Sequence, residues 1–306
     1  MNVIRTAGPW PLEGRKVCAA IGVFDGVHLG HQQILRQTLD NARACGGVAV
    51  GVTFDCHPNE VVAPERTPPL LYPLAKKLRT LESLGLDAVR LIHFDREFSQ
   101  RSAEEFVGGL AADAAYLESV CVGQTFTFGH RRQGNAALLH KLGDSLHFTV
   151  HAAPEVKLDG DAVSSTRVRQ AVREGNFELA GRLLGRPYAL CGEVVHGAQM
   201  GRKLGFPTAN VEVAGILTPP TGVYAAEAEF GAGPLRAAVN IGFRPTVEAA
   251  PARLVVEAHL LDFEGDLYGQ ELELTFLRKL REEQKFGSLE ALRGQVERDI
   301  AQARKL

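Results

Sequence analysis

The hydrophobic pattern changes period near residue 185, and that change constrains the fold more than any other feature. Before it, apolar runs alternate with helical patterns. VCAAIGVF, VAVGVTF, AVRLIHF, SVCVG and LHFTVHA have the length and composition of buried strands. Between the first two, QQILRQTLDNARA places Ile34, Leu35, Thr38, Leu39 and Ala42 on one helical face. SAEEFVGGLAADA opens with a capping box, Ser102-x-x-Glu105. Strand, helix, strand in repetition predicts crossover connections and a parallel sheet. SSTRVRQAVREGNFELAGRLLG then reads as two short helices broken at Gly175-Asn176. Beyond Arg186 the helices vanish: LCGEVVHG, TANVEV, GVYAAEAEF, LRAAVNIG, RLVVEAHLL and ELELTFL are short strands separated by Gly/Pro turns. They predict a small antiparallel barrel or sandwich. A last helix follows Gly287-Ser288, with an apolar stripe at Leu289, Leu292, Val296 and Ile300 that must cover something. Two domains, 1–184 and 185–306, are expected.

Charge narrows the function. The 34 Lys+Arg balance 36 Asp+Glu, so there is no basic footprint for a nucleic acid. No stretch approaches the ~18 apolar residues of a membrane span, and MNVIRTAGPWPLEGRK lacks a signal-peptide core. The five cysteines are scattered and form no C-x-x-C pair, which points away from zinc and disulfides and toward the cytoplasm.

Four strings carry chemistry. In GVFDGVHLGHQ a strand stops at Asp25-Gly26 and a helix begins, with His28 and His31 flanking Gly30. Free N–H groups at a helix start attract phosphate, and imidazoles there can donate to charge developing on phosphoryl oxygens. Taken alone, the string is equally well a turn with one capping histidine. In VSSTRVRQAV the hydroxyls of Ser164 and Thr166 and the guanidinium of Arg169 suit phosphate, although such a string is more often an N-cap with an exposed basic turn. GRKLGFPTAN combines a glycine loop (Gly201, Gly205), positive charge (Arg202, Lys203) and hard oxygens (Thr208, Asn210); it suits a magnesium-bound nucleotide, or simply a turn between strands. Glu257 stands on the non-core face of RLVVEAHLL, either solvated or as a general base.

Together these strings resemble the bacterial bifunctional riboflavin kinase/FAD synthetase family. GVFDGVHLGHQ, TFDCHPNEV, FSQRSAEEFV, VGQTFTFG and VSSTRVRQAV are similar to its adenylyltransferase half, and GRKLGFPTANV, PPTGVYA, NIGFRPTV, VEAHLLDFEGDLYG and LREEQKFGSLEAL to its flavokinase half. The resemblance implies a Rossmann-like nucleotidylyltransferase α/β domain that adenylylates FMN with ATP, then a flavokinase barrel that phosphorylates riboflavin. It implies that His28 and His31 contact ATP phosphates during catalysis, that Asp25, Gly26 and Gly30 shape that turn, and that Ser164, Thr166 and Arg169 hold the β/γ end. Flavin contacts are implied for His57, Pro58, Thr125, Phe126 and Phe128. In the kinase half it implies ATP contacts at Gly201, Arg202, Thr208 and Asn210, Mg²⁺ on Thr208 and Asn210, and Glu257 as the base. Riboflavin, FMN and ATP are the expected small-molecule partners, with neither nucleic acid nor membrane. Two positions depart from the family: Cys56 replaces the usual proline before His57-Pro58, and Thr125 the usual Asn or Asp. Both fall in the synthetase half, so a riboflavin kinase with a weakened N-terminal domain is the alternative. A different adenylyltransferase would not need the PTAN barrel half, and a flavin carrier would need neither the base Glu257 nor the GRKLGFPTAN loop.

Overall fold

A computed structural model describes the whole chain except residues 13, 198–200, 202–204, 232 and 245–252. The chain forms two compact units, Met1–Leu70 with Leu74–Ser165, and Leu71–Pro73 with Thr166–Leu306.

The first unit is built on strands β1 (Asn2–Ile4), β2 (Val17–Ile21), β3 (Val48–Phe54), β4 (Ala88–Ile92), β5 (Leu117–Gly123) and β8 (Thr149–Ala153). All pair in parallel, in the order β1-β4-β3-β2-β5-β8. Two-residue strands β6 (Thr127–Phe128) and β7 (Gly134–Asn135) form a hairpin beside it, as do β9 (Lys157–Leu158) and β10 (Asp161–Ala162). Helices α1 (Leu29–Cys45) and α3 (Leu74–Ser83) lie on one face and α4 (Ala103–Ala114) and α5 (Ala136–Leu146) on the other; α2 is a single turn, Asn59–Val62. Val17, Ala19 and Ile21 pack with Phe106, Leu110 and Leu139, whereas Cys18 and Ala20 pack with Ile34, Leu35 and Leu81. Both faces of the sheet are therefore dry, which is why the strands read as unbroken apolar runs. The Ser102–Glu105 capping box is formed.

Two strand limits differ from expectation. Asn2–Ile4 adds an edge strand too short to show periodicity. The expected strand at Leu146 begins only at Thr149, because α5 runs through Leu146 and His147 ends it in the left-handed conformation (φ 62°).

Helix α6 (Ser165–Arg173), which belongs to the second unit from Thr166 onward, and α7 (Phe177–Leu184) are separated at Gly175, whose φ is 69°, and Asn176, whose side chain accepts from Leu179 N. Strands β11 (Ala189–Val195), β12 (Ala209–Val211), β13 (Gly222–Glu229), β14 (Leu235–Arg244), β15 (Arg253–Leu260) and β16 (Glu271–Arg281) close into an antiparallel barrel, order β11-β12-β15-β14-β13-β16. Leu272, Leu274 and Phe276 are buried along β16, as are Val256, Ala258 and Leu260 along β15. Phe177 stacks on Phe276, with ring centroids 5.2 Å apart, so α7 packs with the barrel.

The final helix, α8 (Leu289–Ala303), starts where Ser288 Oγ accepts from Ala291 N. It packs on β13, β14 and β16, but not through the whole stripe expected of it. Leu289 is 62% exposed, whereas Asp299 is 3% exposed. The Asp299 carboxylate accepts from Arg281 Nε (3.1 and 3.0 Å), Arg281 Nη2 (2.8 Å) and Gln295 Nε2 (2.8 Å). A polar anchor holds this helix. Among the described residues no helix is long and apolar enough to cross a membrane.

Candidate active sites

In the first unit, β3 and β4 extend the sheet to one side of β2, and β5 and β8 to the other. The carboxyl ends of β2 and β5 therefore flank the point where the winding reverses, the place where open α/β sheets bind ligands. The segment leaving β2 is strained. Phe24, Gly26 and Val27 have φ of 52°, 74° and 42°. For Phe24 and the β-branched Val27 such conformations cost about 1–3 kcal/mol each, and they persist only where the surroundings hold them.

Side chains from three directions hold the carbonyls of this turn. Thr53 Oγ1 donates to Val23 O (3.0 Å), Ser165 Oγ to Asp25 O (3.0 Å) and Gln32 Nε2 to Val27 O (3.0 Å). Helix α1 then begins with His28 as N-cap, its Nδ1 accepting from His31 N (3.4 Å). The His28 and His31 rings stack, with centroids 3.7 Å apart and planes 19° off parallel, and the edge of Phe24 meets His31. A Cβ on Gly30 would lie 3.2 Å from the His28 ring, so glycine lets the two imidazoles share one helix start.

The turn opens onto a cavity of about 1130 Å³. Of the residues expected to serve the first activity, His28, Gly30, His31 and Ser164 line it, together with His57, Pro58, Thr125, Phe126 and Phe128. Asp25 and Gly26 are buried beneath the turn instead. Thr166 and Arg169 belong to the second unit, Thr166 in the first turn of α6 and Arg169 buried on that helix. Thr125 is exposed on the cavity wall. Cys56 is not on that wall. Its thiol donates to Phe94 O (3.5 Å), and burial pushes its pKa up to about 11.

Two features of the cavity escaped sequence reasoning. One is the extension of the expected Phe126 and Phe128 into a ribbon of rings through Phe106, Phe98 and Phe94 to Phe54, with successive centroids 5.2 to 6.1 Å apart. The other is charge: Arg66, Arg96, Arg101, Arg131 and Arg132 line the cavity against one carboxylate, Glu155. Arg131 and Arg132 sit on a left-handed stretch (φ 51° and 57°). Its anchor is His130, whose N–H donates to Arg101 O (2.8 Å) and whose Nδ1 bonds to Ser99 O (3.1 Å). Such a cavity suits a planar aromatic ligand together with polyphosphate.

In the second unit the pairing register gathers a different set. Glu257 on β15 lies opposite Asn210 on β12 and Asn240 on β14. Val256 and Ala258 point into the barrel, so this row faces outward. Thr208, two residues before Asn210, falls on the same side. His259 Nδ1 bonds to Pro207 O (2.8 Å), fixing the chain just before Thr208. A Cβ on Gly201 would sit 3.1 Å from Thr208 Oγ1, and one on Gly197 would overlap the Asn210 amide, so both glycines are close-approach positions. Arg202 lies outside the described residues. Asn240 is the addition here; only the strand register reveals it.

Comparison with known proteins gives concordant results. Residues 11–167 match the FAD synthetase family model and residues 184–306 the riboflavin kinase model. The chain is 43% identical over 306 residues to the bifunctional riboflavin kinase/FMN adenylyltransferase of Pseudomonas fluorescens, covering 100% of this chain and 98% of that protein. It is 40% identical over 286 residues to the protein of that name from Escherichia coli K12, covering 93% and 91%. A crystal structure titled as a macrolide-efflux protein from Streptococcus pneumoniae superposes along the full length of both chains with a TM-score of 0.84 at 29% identity. With both family models matched in order along nearly its whole length, the chain belongs to the bifunctional riboflavin kinase/FMN adenylyltransferase family.

Proposed function

We propose that adenylyl transfer takes place in the first unit's cavity and phosphoryl transfer on the outer face of the barrel at Glu257. The chain is a riboflavin kinase and FMN adenylyltransferase, using ATP in both steps and yielding FMN and FAD. The observation that carries the first assignment is the stacked His28–His31 pair at the start of α1, on the same cavity as the phenylalanine ribbon and five arginines. In the first unit an oxygen of the FMN phosphate attacks the α-phosphorus of ATP, a new P–O bond forms, and pyrophosphate departs with the old one. His28, His31 and the N–H groups of α1 stabilise the charge that builds on the phosphoryl oxygens. The phenylalanine ribbon, with His57 and Thr125, receives the flavin. In the second unit Glu257 takes the proton from the ribityl 5′-hydroxyl of riboflavin as that oxygen attacks the γ-phosphorus of ATP, and ADP leaves.

Thr208 and Asn210 offer hard oxygens beside Glu257, a donor set that fits a magnesium ion completed by substrate phosphates. Mg²⁺ there would neutralise the polyphosphate and orient it. We assign the first activity to residues 1–184 and the second to 185–306. The five cysteines are all free, in keeping with a reducing cytoplasm. The test is incubation of the pure protein with riboflavin, ATP and Mg²⁺, followed by separation of the flavins. FMN should form first and FAD after it, and a chelator should stop both. Accumulation of FMN with no FAD would leave the first unit without the activity proposed for it.

A further inference from the structure

We propose that Lys77 is a positioning residue for adenylyl transfer, clamping the two strand ends from which the His28–His31 turn is launched. The proposal rests on the assignment of that reaction to the first unit's cavity. Lys77 is on α3, 7% exposed, and is not part of the cavity wall. Its ammonium donates to Phe54 O (2.8 Å), Val23 O (3.3 Å) and Thr53 Oγ1 (3.3 Å), which uses all three of its protons.

The position of these acceptors gives the residue its role. The parallel ladder between β2 and β3 stops where Gly22 N donates to Val52 O (3.1 Å). One residue further on, Val23 and Phe54 have no ladder partner in each other. Lys77 bridges their carbonyls at that point, and Thr53 Oγ1 adds a second donor to Val23 O. The next residue is Phe24, the first of the left-handed positions leading to His28. Ser165 and Gln32 hold the later carbonyls of the turn, at Asp25 and Val27, and Lys77 with Thr53 holds the first. Burial pulls the Lys77 pKa down to about 8, against the attraction of Asp25 and Asp55, so the protein keeps a cation where an apolar side chain would be easier to bury. A functional turn has to be held to about 0.5 Å, and a misplacement of about 1 Å can cost ~10² in rate.

The test compares Lys77→Met, Lys77→Arg, Thr53→Val and His28→Ala with the parent, measuring FAD formation from FMN and Mg-ATP. Emission from Trp10, the chain's one tryptophan and a buried core residue of the first unit, reports whether that unit is folded. For Lys77→Met, kcat should fall at least about tenfold, with KM for ATP and FMN staying within about threefold. Lys77→Arg, which keeps charge and donors, should recover part of the loss. A folded Lys77→Met with kcat within twofold of the parent would overturn the proposal, as would a loss carried entirely by KM. If Lys77→Met fails to fold, Thr53→Val decides: it keeps the cation but removes one donor to Val23 O, and kcat should drop about threefold or more. Unchanged kcat there would overturn the clamp. His28→Ala separates the two ideas: if it forms FAD normally, the site assignment fails, whereas loss in His28→Ala alone sinks only the role of Lys77.

Discussion

At the scale of single residues, the first site depends on backbone placement as much as on side chains. His28 caps α1 and lines the cavity with the same ring. Its expected role is legible in the sequence through the resemblance of GVFDGVHLGHQ and its companion strings to the family, since taken alone the string is equally well a capped turn. The groups that hold the turn are not legible. Lys77, Thr53, Ser165 and Gln32 act on backbone carbonyls, and a carbonyl imposes no residue pattern on its partner. Ser165 even stands between the two hydroxyl residues chosen for phosphate, and its own hydroxyl turns inward to Asp25 O. Lys77 also makes stability depend on pH. Its pKa is about 8 in the folded chain, below the 10.5 of a free lysine, so the unfolded chain binds more protons between those values. The penalty is therefore fully present below pH ~8 and is relieved as pH rises toward 10.5, a gain of up to about 3 kcal/mol. Urea unfolding followed by Trp10 emission should show the parent gaining stability relative to Lys77→Met between pH 8 and 10. A difference that does not change with pH would contradict the buried, charged state.

At the scale of elements, periodicity identified most of what it could. The alternation along β16 placed Leu272, Leu274 and Phe276 inward, as found. The helix break at Gly175-Asn176 was legible because a glycine and a capping asparagine mark it chemically. The terminal helix shows where pattern reading stops. Its apolar spacing predicted the buried face, but Leu289 is exposed and Asp299 is the buried anchor. An acid at helical spacing reads as solvated until its partner is known, and Arg281 lies on β16, 18 residues earlier. Asp299→Ala removes three bonds to a guanidinium whose side chain is only 19% exposed, and leaves that charge half-buried. A loss of about 3 kcal/mol from the barrel unit is expected. Thermal inactivation of FMN formation should move several degrees lower, while FAD formation from supplied FMN keeps its parent midpoint. No shift in the first would mean that the helix is held by other contacts.

At the scale of the whole molecule, the two family models divide the chain near the change of period, at 11–167 and 184–306, whereas the compact units divide between Ser165 and Thr166, so that α6 after its first residue, and α7, go with the barrel. A sheet buried on both faces supplies the strand ends and helix start proposed to bind polyphosphate; a closed barrel supplies a register that places Asn210, Glu257 and Asn240 in one row. In the proposed scheme the product of one site is the substrate of the other, and two sites with no shared catalytic group act in turn on one flavin. A mixture of two crippled variants tests this scheme. His28→Ala should convert riboflavin to FMN and stop there, because losing such a donor typically lowers the rate ~10²–10³. Glu257→Gln should leave riboflavin unchanged yet still convert supplied FMN to FAD, because loss of a general base typically costs ~10²–10⁴. Neither variant alone should make FAD from riboflavin with ATP and Mg²⁺, and an equimolar mixture should make it. If either variant alone makes FAD at the parent rate, or the mixture stops at FMN, the claim of two separate sites is contradicted.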